Sequence, residues 1–314
     1  MNDNNNSACS EVLDNVAKAI VGKNDVILRV FLAMLARGHI LIEDIPGVGK
    51  TTMAIAFSKA LTLDYNRVQF TPDILPSDLT GFSIVNMETG NMEYTPGAVL
   101  CNLFLADELN RANSRTQSAL LEAMEEGQVT VDGTSYTLPQ PFVVIATQNP
   151  VGAAGTQLLP DSQMDRFMVR LALGYPAFSD EQSLVTRKQG SNLLDLVKPE
   201  LKSKELEAMR TEVDHVHVDK KIVEYIVSLI TETRNHPNVL LGASPRATLA
   251  LTSMSKAMAY FLGRDYVVPD DIQPIFADTL SHRLILRPGA ASENVTATGI
   301  LNDIMNHVQA PKIG

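Results

Sequence analysis

The sequence predicts an α/β fold: a doubly wound, mostly parallel sheet carrying two β-hairpin inserts, followed by an all-α domain. Three observations predict it. Short apolar runs alternate with helical patterns between residues 39 and 175, the order that builds a parallel sheet through helical crossovers. Two segments, 82–95 and 128–138, interrupt the alternation with strand–turn–strand patterning. Beyond Tyr175-Pro176 the periodicity is helical and no convincing strand follows. The resulting division is a polar, mobile tail over residues 1–9, an α/β domain over 10–175 and a helical domain over 176–314.

Ser10 stands where it would cap a first helix, EVLDNVAKAI, whose Val12, Leu13, Val16 and Ile20 fall at helical spacing. A second, strongly apolar helix over 24–37 meets Gly38, a C-terminal stop. HILIE (39–43) reads as a buried strand, followed by a Gly-rich turn and a helix near 50–61. RVQF (67–70), NLFLA (102–106) and FVVIAT (142–147) are further strands, with a helical pattern over 115–126. In the second hairpin Asp132-Gly133 supplies the turn. Amphipathic helices are predicted near 179–189, 203–213, 219–235, 246–262, 269–282 and 295–307.

The chain has 314 residues, 45% hydrophobic and 20% charged, a globular balance of about two domains. Lys and Arg number 26 against 36 Asp and Glu, a formal charge of -10. That charge argues against a broad surface for a phosphate backbone. Two cysteines, Cys9 and Cys101, are too few for a disulfide framework or a zinc cluster. The polar N-terminus lacks a secretory pattern and no apolar run has the length of a membrane span, so the expected location is the cytoplasm.

EDIPGVGKTT, residues 43–52, follows a strand and opens a helix. Backbone N–H groups of such a loop, together with a helix N-terminus, bind phosphate oxygens. Lys50 would reach the terminal phosphates and Thr51 would ligate magnesium, within a loop formed by Pro46, Gly47, Val48, Gly49, Lys50, Thr51 and Thr52. The usual pattern GxxxxGK[ST] begins with glycine; here Asp44 takes that place. The apolar strand NLFLADE ends in Asp107-Glu108. Asp107 would hold magnesium through water, and Glu108 would polarise an attacking water as general base. FVVIAT leads to Gln148-Asn149-Pro150; Asn149, with Gln148 as the alternative, would orient that water from the strand tip. Arg166, in DSQMDRF, and Arg246, in GASPRA, are arginines suited to developing phosphoryl charge.

Taken in this order, the motifs resemble an AAA+ module: an α/β P-loop NTPase core with a C-terminal helical lid. More narrowly, ADELNRANSRTQSALLEAMEEGQVTVDG, IATQNP and LLPDSQMDRF resemble the MoxR family over nearly the whole chain. The resemblance implies ATP hydrolysis with ATP and Mg2+. It makes Asn149 sensor 1, Arg166 an arginine finger and Arg246 sensor 2, with Arg111 and Arg115 flanking the Asp107-Glu108 pair. IVGKNDVI (20–27) resembles the superfamily segment that packs on adenine, placing Val21 and Gly22 there. It further implies a hexameric ring and a chaperone-like role on protein clients, often partners with von Willebrand factor A domains.

Three other readings stay open. One is a magnesium-chelatase-like motor subunit. Another is a nucleic-acid motor, since MCM helicases carry hairpin inserts on this scaffold; neither hairpin here contains Lys or Arg. The third, a non-hydrolysing switch, is opposed by Glu108. His215 and His217 lack a third ligand nearby and read as a solvated pair. Met87 and Met92, in the first hairpin, are candidates for a partner or pore surface.

Overall fold

The computed structural model describes residues 3–45, 47–149, 159–188, 192–290 and 294–312. Helices α1 (Asp3–Ala17) and α2 (Asn24–Leu35) precede strand β1 (Ile40–Glu43), α3 (Lys50–Ala60) and β2 (Tyr65–Gln69). The short α4 (Pro76–Thr80) leads to a hairpin of β3 (Gly81–Val85) and β4 (Met92–Pro96). Next come β5 (Leu103–Asp107), α5 (Ser114–Glu126), a second hairpin of β6 (Gln128–Val131) and β7 (Thr134–Thr137), and β8 (Val143–Gln148). The core closes with α6 (Asp161–Met164) and β9 (Val169–Leu171). The C-terminal lid comprises α7 (Phe178–Lys188), α8 (Ser203–Asp214), α9 (Lys220–Asn235), β10 (Val239–Leu241), α10 (Pro245–Phe261), α11 (Gln273–Leu280), β11 (Ile285–Leu286) and α12 (Ala297–His307).

The sheet is parallel, in the order β2-β5-β8-β1-β9. Every residue of β5 and β8 is buried, as a sheet covered on both faces requires. Ile40, Ile42, Leu103, Leu105, Val143 and Ile145 face one apolar layer, which runs through α1, α2 and α3 into the lid. Leu41, Phe104, Ala106, Val144 and Ala146 face the other, beneath α5 and the second hairpin. After β1 the chain crosses to the far edge at β2 and returns through β5 and β8. It then passes to the opposite side of β1 at β9. The order thus reverses beside β1, and a ligand crevice opens at the strand C-termini there.

Four details depart from the sequence reading. Residues 3–9 are helical rather than a tail, and Ser10 lies inside α1 instead of capping it. Burial of Cys9, Val12 and Val16 against the core outweighs the weak helix preference of the asparagines. At the end of α2, Arg37 rather than Gly38 takes the left-handed backbone (φ 59°). Gly38 N–H donates to Ala33 O at 2.8 Å and Arg37 N–H to Met34 O at 3.2 Å, a Schellman closure. Gly38 serves close approach instead, because a β-carbon there would run into Met168. Strand β9, absent from the sequence reading, completes the sheet edge. Finally, the lid is not entirely helical: β10 and β11 form a small antiparallel ribbon.

Lid and core are joined by buried polar contacts. Arg210 of α8, 1% exposed, donates through Nε to Met34 O at 2.8 Å, at the carbonyl end of α2. Asp165 accepts from Arg283 at 2.5 Å and from Ser244 at 2.9 Å, both lid residues. His282 and Arg283 both contact the carbonyl of Phe167. The two hairpins are joined as well: Tyr94 and Tyr136 stack with ring centroids 3.7 Å apart and 13° between planes. Asp132 (φ 50°) and Gly133 (φ 77°) form the predicted turn between β6 and β7.

Candidate active site

The loop after β1 enters α3 through two left-handed glycines, Gly47 (φ 87°) and Gly49 (φ 100°), the latter being the helix N-cap. Such φ values strongly favour glycine, and together they turn the chain so that α3 starts at Lys50. Pro46 lies outside the described residues. Lys50 is buried and its Nζ donates to the backbone carbonyl of Asp44 at 2.5 Å. Burial pulls its pKa below the ordinary lysine value, opposed by the charges of Asp44, Asp107 and Glu108. Asp44, in the place of the usual glycine, ties down the start of the loop. Its Oδ1 accepts from Ile45 N–H at 2.8 Å and its Oδ2 from Gly174 N–H at 2.6 Å, just before the lid. Val48 packs against the core, while Thr51 and Thr52 are half-buried on the first turn of α3.

Across the sheet, β5 delivers Asp107 and Glu108 to the same crevice. Thr147, fully buried on neighbouring β8, donates to Asp107 Oδ1 at 2.6 Å and accepts from Glu108 N–H at 2.9 Å. Arg67 of β2 donates to Asp107 Oδ2 through both Nε (3.2 Å) and a terminal nitrogen (2.6 Å). Glu108 takes a left-handed backbone (φ 58°), a conformation that costs a non-glycine residue energy. Arg111 donates to its Oε2 at 2.8 Å and Asn149 Nδ2 to its Oε1 at 3.3 Å. The Arg111 hydrogen bond is the main reason the Glu108 carboxyl lies below the usual carboxylate range. Burial opposes it, and Asn149 and Gln69 add to it. Gln148 points elsewhere, donating to Glu43 Oε2 at 2.6 Å. The strand-tip residue that faces Glu108 is therefore Asn149.

One cleft is lined by Gly47, Gly49, Lys50, Thr51, Thr52, Arg67, Gln69, Asp107, Glu108 and Asn149. Val21 and Gly22 are not among its lining residues; Gly22 lines a separate pocket with Lys23, Asn24, Asp25, Val26 and Leu173. The Ile20 Cδ1 methyl lies 3.8 Å from where a Gly49 β-carbon would be, and a β-carbon on Gly22 would run into Asp180 of α7. Residues 20–22 are thus wedged between the loop and the lid. Arg166 and Arg246 are not brought to the cleft. Both grip Glu125 at the far end of α5, Arg166 on Oε2 at 3.1 Å and Arg246 on Oε1. Glu125 lies eleven residues, about 17 Å of helix, beyond the start of α5, and its neighbour Met124 meets His39, which precedes β1 at the opposite end from the cleft.

Three residues of the site escape a reading by motif: Arg67 and Gln69, which line the cleft, and Thr147, which is buried behind Asp107. A signal for the first two was present. RVQF alternates polar and apolar residues within a sheet of otherwise apolar strands, which places Arg67 and Gln69 on one face. Thr147 is a hydroxyl in a strand that is otherwise apolar up to its tip. Among the described residues, no group of three or more His, Cys, Asp or Glu could hold a metal ion. His215 and His217 are both exposed.

A model of the ATPase family associated with various cellular activities (AAA) matches residues 39–169, and one of the AAA lid domain matches residues 231–304. Chaperone MoxR1 of Mycobacterium tuberculosis is 33% identical over 95% of this chain and 81% of its own. The chain belongs to the MoxR family of AAA ATPases. Another relative of this MoxR chain is YeaC of Bacillus subtilis, an uncharacterized protein 46% identical over 96% of this chain and 94% of its own. The crystal structure of a candidate ATPase from Cytophaga hutchinsonii superimposes with a TM-score of 0.91 at 39% identity, covering 98% of this chain and 96% of that one. As a MoxR-type AAA ATPase the chain binds and hydrolyses ATP. No helix among the described residues is long and apolar enough to cross a membrane.

Proposed function

We propose that this MoxR ATPase works as a homo-oligomeric, hexameric ring that couples ATP hydrolysis to the remodelling of protein clients, with each active site completed by a neighbouring subunit. The observation that carries the reading is the position of Arg166 and Arg246. Both sit on Glu125, a helix length from Glu108. An arginine side chain does not reach that far, which supports a role for these residues at the phosphates in a neighbour's cleft.

Within one chain the roles follow from the contacts. The loop N–H groups and Lys50 hold the phosphates. Glu108, kept ionised by Arg111, Asn149 and Gln69, accepts the proton of an attacking water that Asn149 orients. Asp107 and Thr51 offer hard oxygen donors suited to magnesium. Asp107 Oδ2 already accommodates a cationic group, the Arg67 guanidinium, so a cation fits there. A magnesium ion held by these two residues would supply neutralisation of phosphate charge. Val21 and Gly22, beside the loop, are the proposed adenine contacts.

The client reading draws on the name of MoxR1, a chaperone, and on the first hairpin. Phe82, Ile84, Val85, Met87 and Met92 are exposed there, and no Lys or Arg lies in 82–95. That surface suits a protein rather than a nucleic acid. Clients with von Willebrand factor A domains are the class to which the family resemblance points.

Mixing subunits tests the shared site. Glu108→Gln and Arg166→Ala proteins, each inactive alone, are combined in equal amounts. Roughly a quarter of the interfaces in randomly mixed rings then pair an intact Glu108 with an intact Arg166, and ATPase activity returns in part. No recovery in rings shown to be mixed would refute the shared site.

A further inference from the structure

Arg67 lies in the nucleotide cleft without belonging to any of the motifs that identify it. Its Nε and one terminal nitrogen both donate to the same oxygen, Asp107 Oδ2. A carboxylate oxygen has two lone pairs, and these two donors engage both. The other oxygen, Oδ1, is turned toward the fully buried Thr147 hydroxyl at 2.6 Å. Oδ2 is therefore the oxygen that faces the cleft. A metal ion, or a water bound to one, has to approach Asp107 through the position the guanidinium holds.

We propose that Arg67 is a resident counter-cation of Asp107, which a divalent metal displaces as nucleotide binds, so that Arg67 sets the metal requirement of the site. The inference rests on the reading of Asp107 as the metal-facing carboxylate. Three features favour displacement over coexistence. A guanidinium and a divalent ion on one oxygen would repel at contact distance, with Asp107 itself only 11% exposed and poorly screened by solvent. The Arg67 side chain is 42% exposed, so it can move into water at little desolvation cost. It extends from β2, the edge strand of the sheet, beyond which no further strand lies among the described residues.

The competing role is a direct phosphate contact, in which Arg67 would strengthen nucleotide binding with or without metal. Binding of ADP to the full-length protein separates the two. It is measured by calorimetry in EDTA and across a Mn2+ titration, with bound Mn2+ read by electron paramagnetic resonance. Arg67→Gln is expected to bind ADP in EDTA as wild type does. It should reach half-saturation at a Mn2+ concentration about three- to tenfold lower, the span expected for loss of a charged hydrogen-bonded pair. Arg67→Lys, which keeps the charge but not the two-nitrogen contact, should fall between. An unchanged or higher Mn2+ requirement in Arg67→Gln overturns the proposal. So does a severalfold loss of ADP affinity in EDTA, which would make Arg67 a phosphate ligand, and so does Arg67→Lys matching wild type while Arg67→Gln gains, which would reduce the effect to a general field. Asp107→Asn tests the underlying reading separately. If its Mn2+ requirement matches wild type, Asp107 is not the metal ligand and the proposal falls with it. Thermal melts of each variant establish that the fold is intact.

Discussion

Three side chains, from β2, the turn after β5 and the tip of β8, converge on the Glu108 carboxylate. They favour its charged form, so the midpoint of any protonation limb that Glu108 gives to the rate lies below its ordinary value of 4.5. Glu108→Gln should retain ATP binding, seen as nucleotide-induced thermal stabilisation, and lose about 10²–10⁴-fold in turnover, typical of removing a general base. Near-normal steady-state turnover would place the base elsewhere. Lys50→Ala should lose the nucleotide-induced stabilisation itself, since the buried ammonium is the point charge inside the loop. These residues were legible because loop chemistry needs its groups contiguous: a glycine turn, a lysine and a threonine on the first helical turn. Thr147 and Arg67 were not, because what they do depends on which strands become neighbours. Sheet order is set by the packing of the whole chain, and no short window records it.

At the scale of elements, most long helices and central strands were readable from period alone, since each buries a continuous apolar face. What escaped were pieces whose state depends on a neighbour. Strand β9 has three residues and exists by pairing with β1. The first turns of α1 are helical because Cys9 and Val12 have a core to meet. The end of α2 is another such case. Its terminal carbonyl at Met34 receives Arg210 from α8, a cation at the negative end of a helix. Burial lowers the pKa of Arg210 to about 10, so it stays charged at neutral pH. Arg210→Ala should destabilise the protein by about 2–5 kcal/mol, from the cavity and the lost charged hydrogen bond together. Chemical denaturation would show this as a lower midpoint, and loss below about 0.5 kcal/mol, the level of a neutral surface change, would contradict it.

For the molecule as a whole, two buried histidines set an acid limit. His39 accepts from Val144 N–H through Nδ1 at 3.0 Å and meets Met124 O through Nε2 at 3.1 Å, joining β8 to the end of α5. Burial lowers its pKa from 6.5 to about 4, and burial likewise lowers that of His282, which joins Phe167, two residues before β9, to the lid. A histidine kept neutral in the fold takes its proton on unfolding, so falling pH favours the unfolded chain. Its full contribution is present above pH 6.5; for His39 it is lost between 6.5 and about 4, at about 1.4 kcal/mol per pH unit. The melting temperature should therefore drop as the pH falls through that window. His39→Gln, which keeps a donor and an acceptor without titrating, should flatten the drop, and an equally steep profile would exclude His39 as its source.

The stacked pair of Tyr94 and Tyr136 gives the protein an optical reporter of its own. The sequence holds no tryptophan and seven tyrosines, so intrinsic ultraviolet emission is phenolic and no indole masks it. Two phenol rings 3.7 Å apart share their excitation and quench each other, and the pair bridges the two inserts. Any event that parts the hairpins unstacks it. Emission should then rise and the near-ultraviolet circular dichroism of the coupled rings should fade, so hairpin motion can be followed in the unlabelled protein during nucleotide turnover.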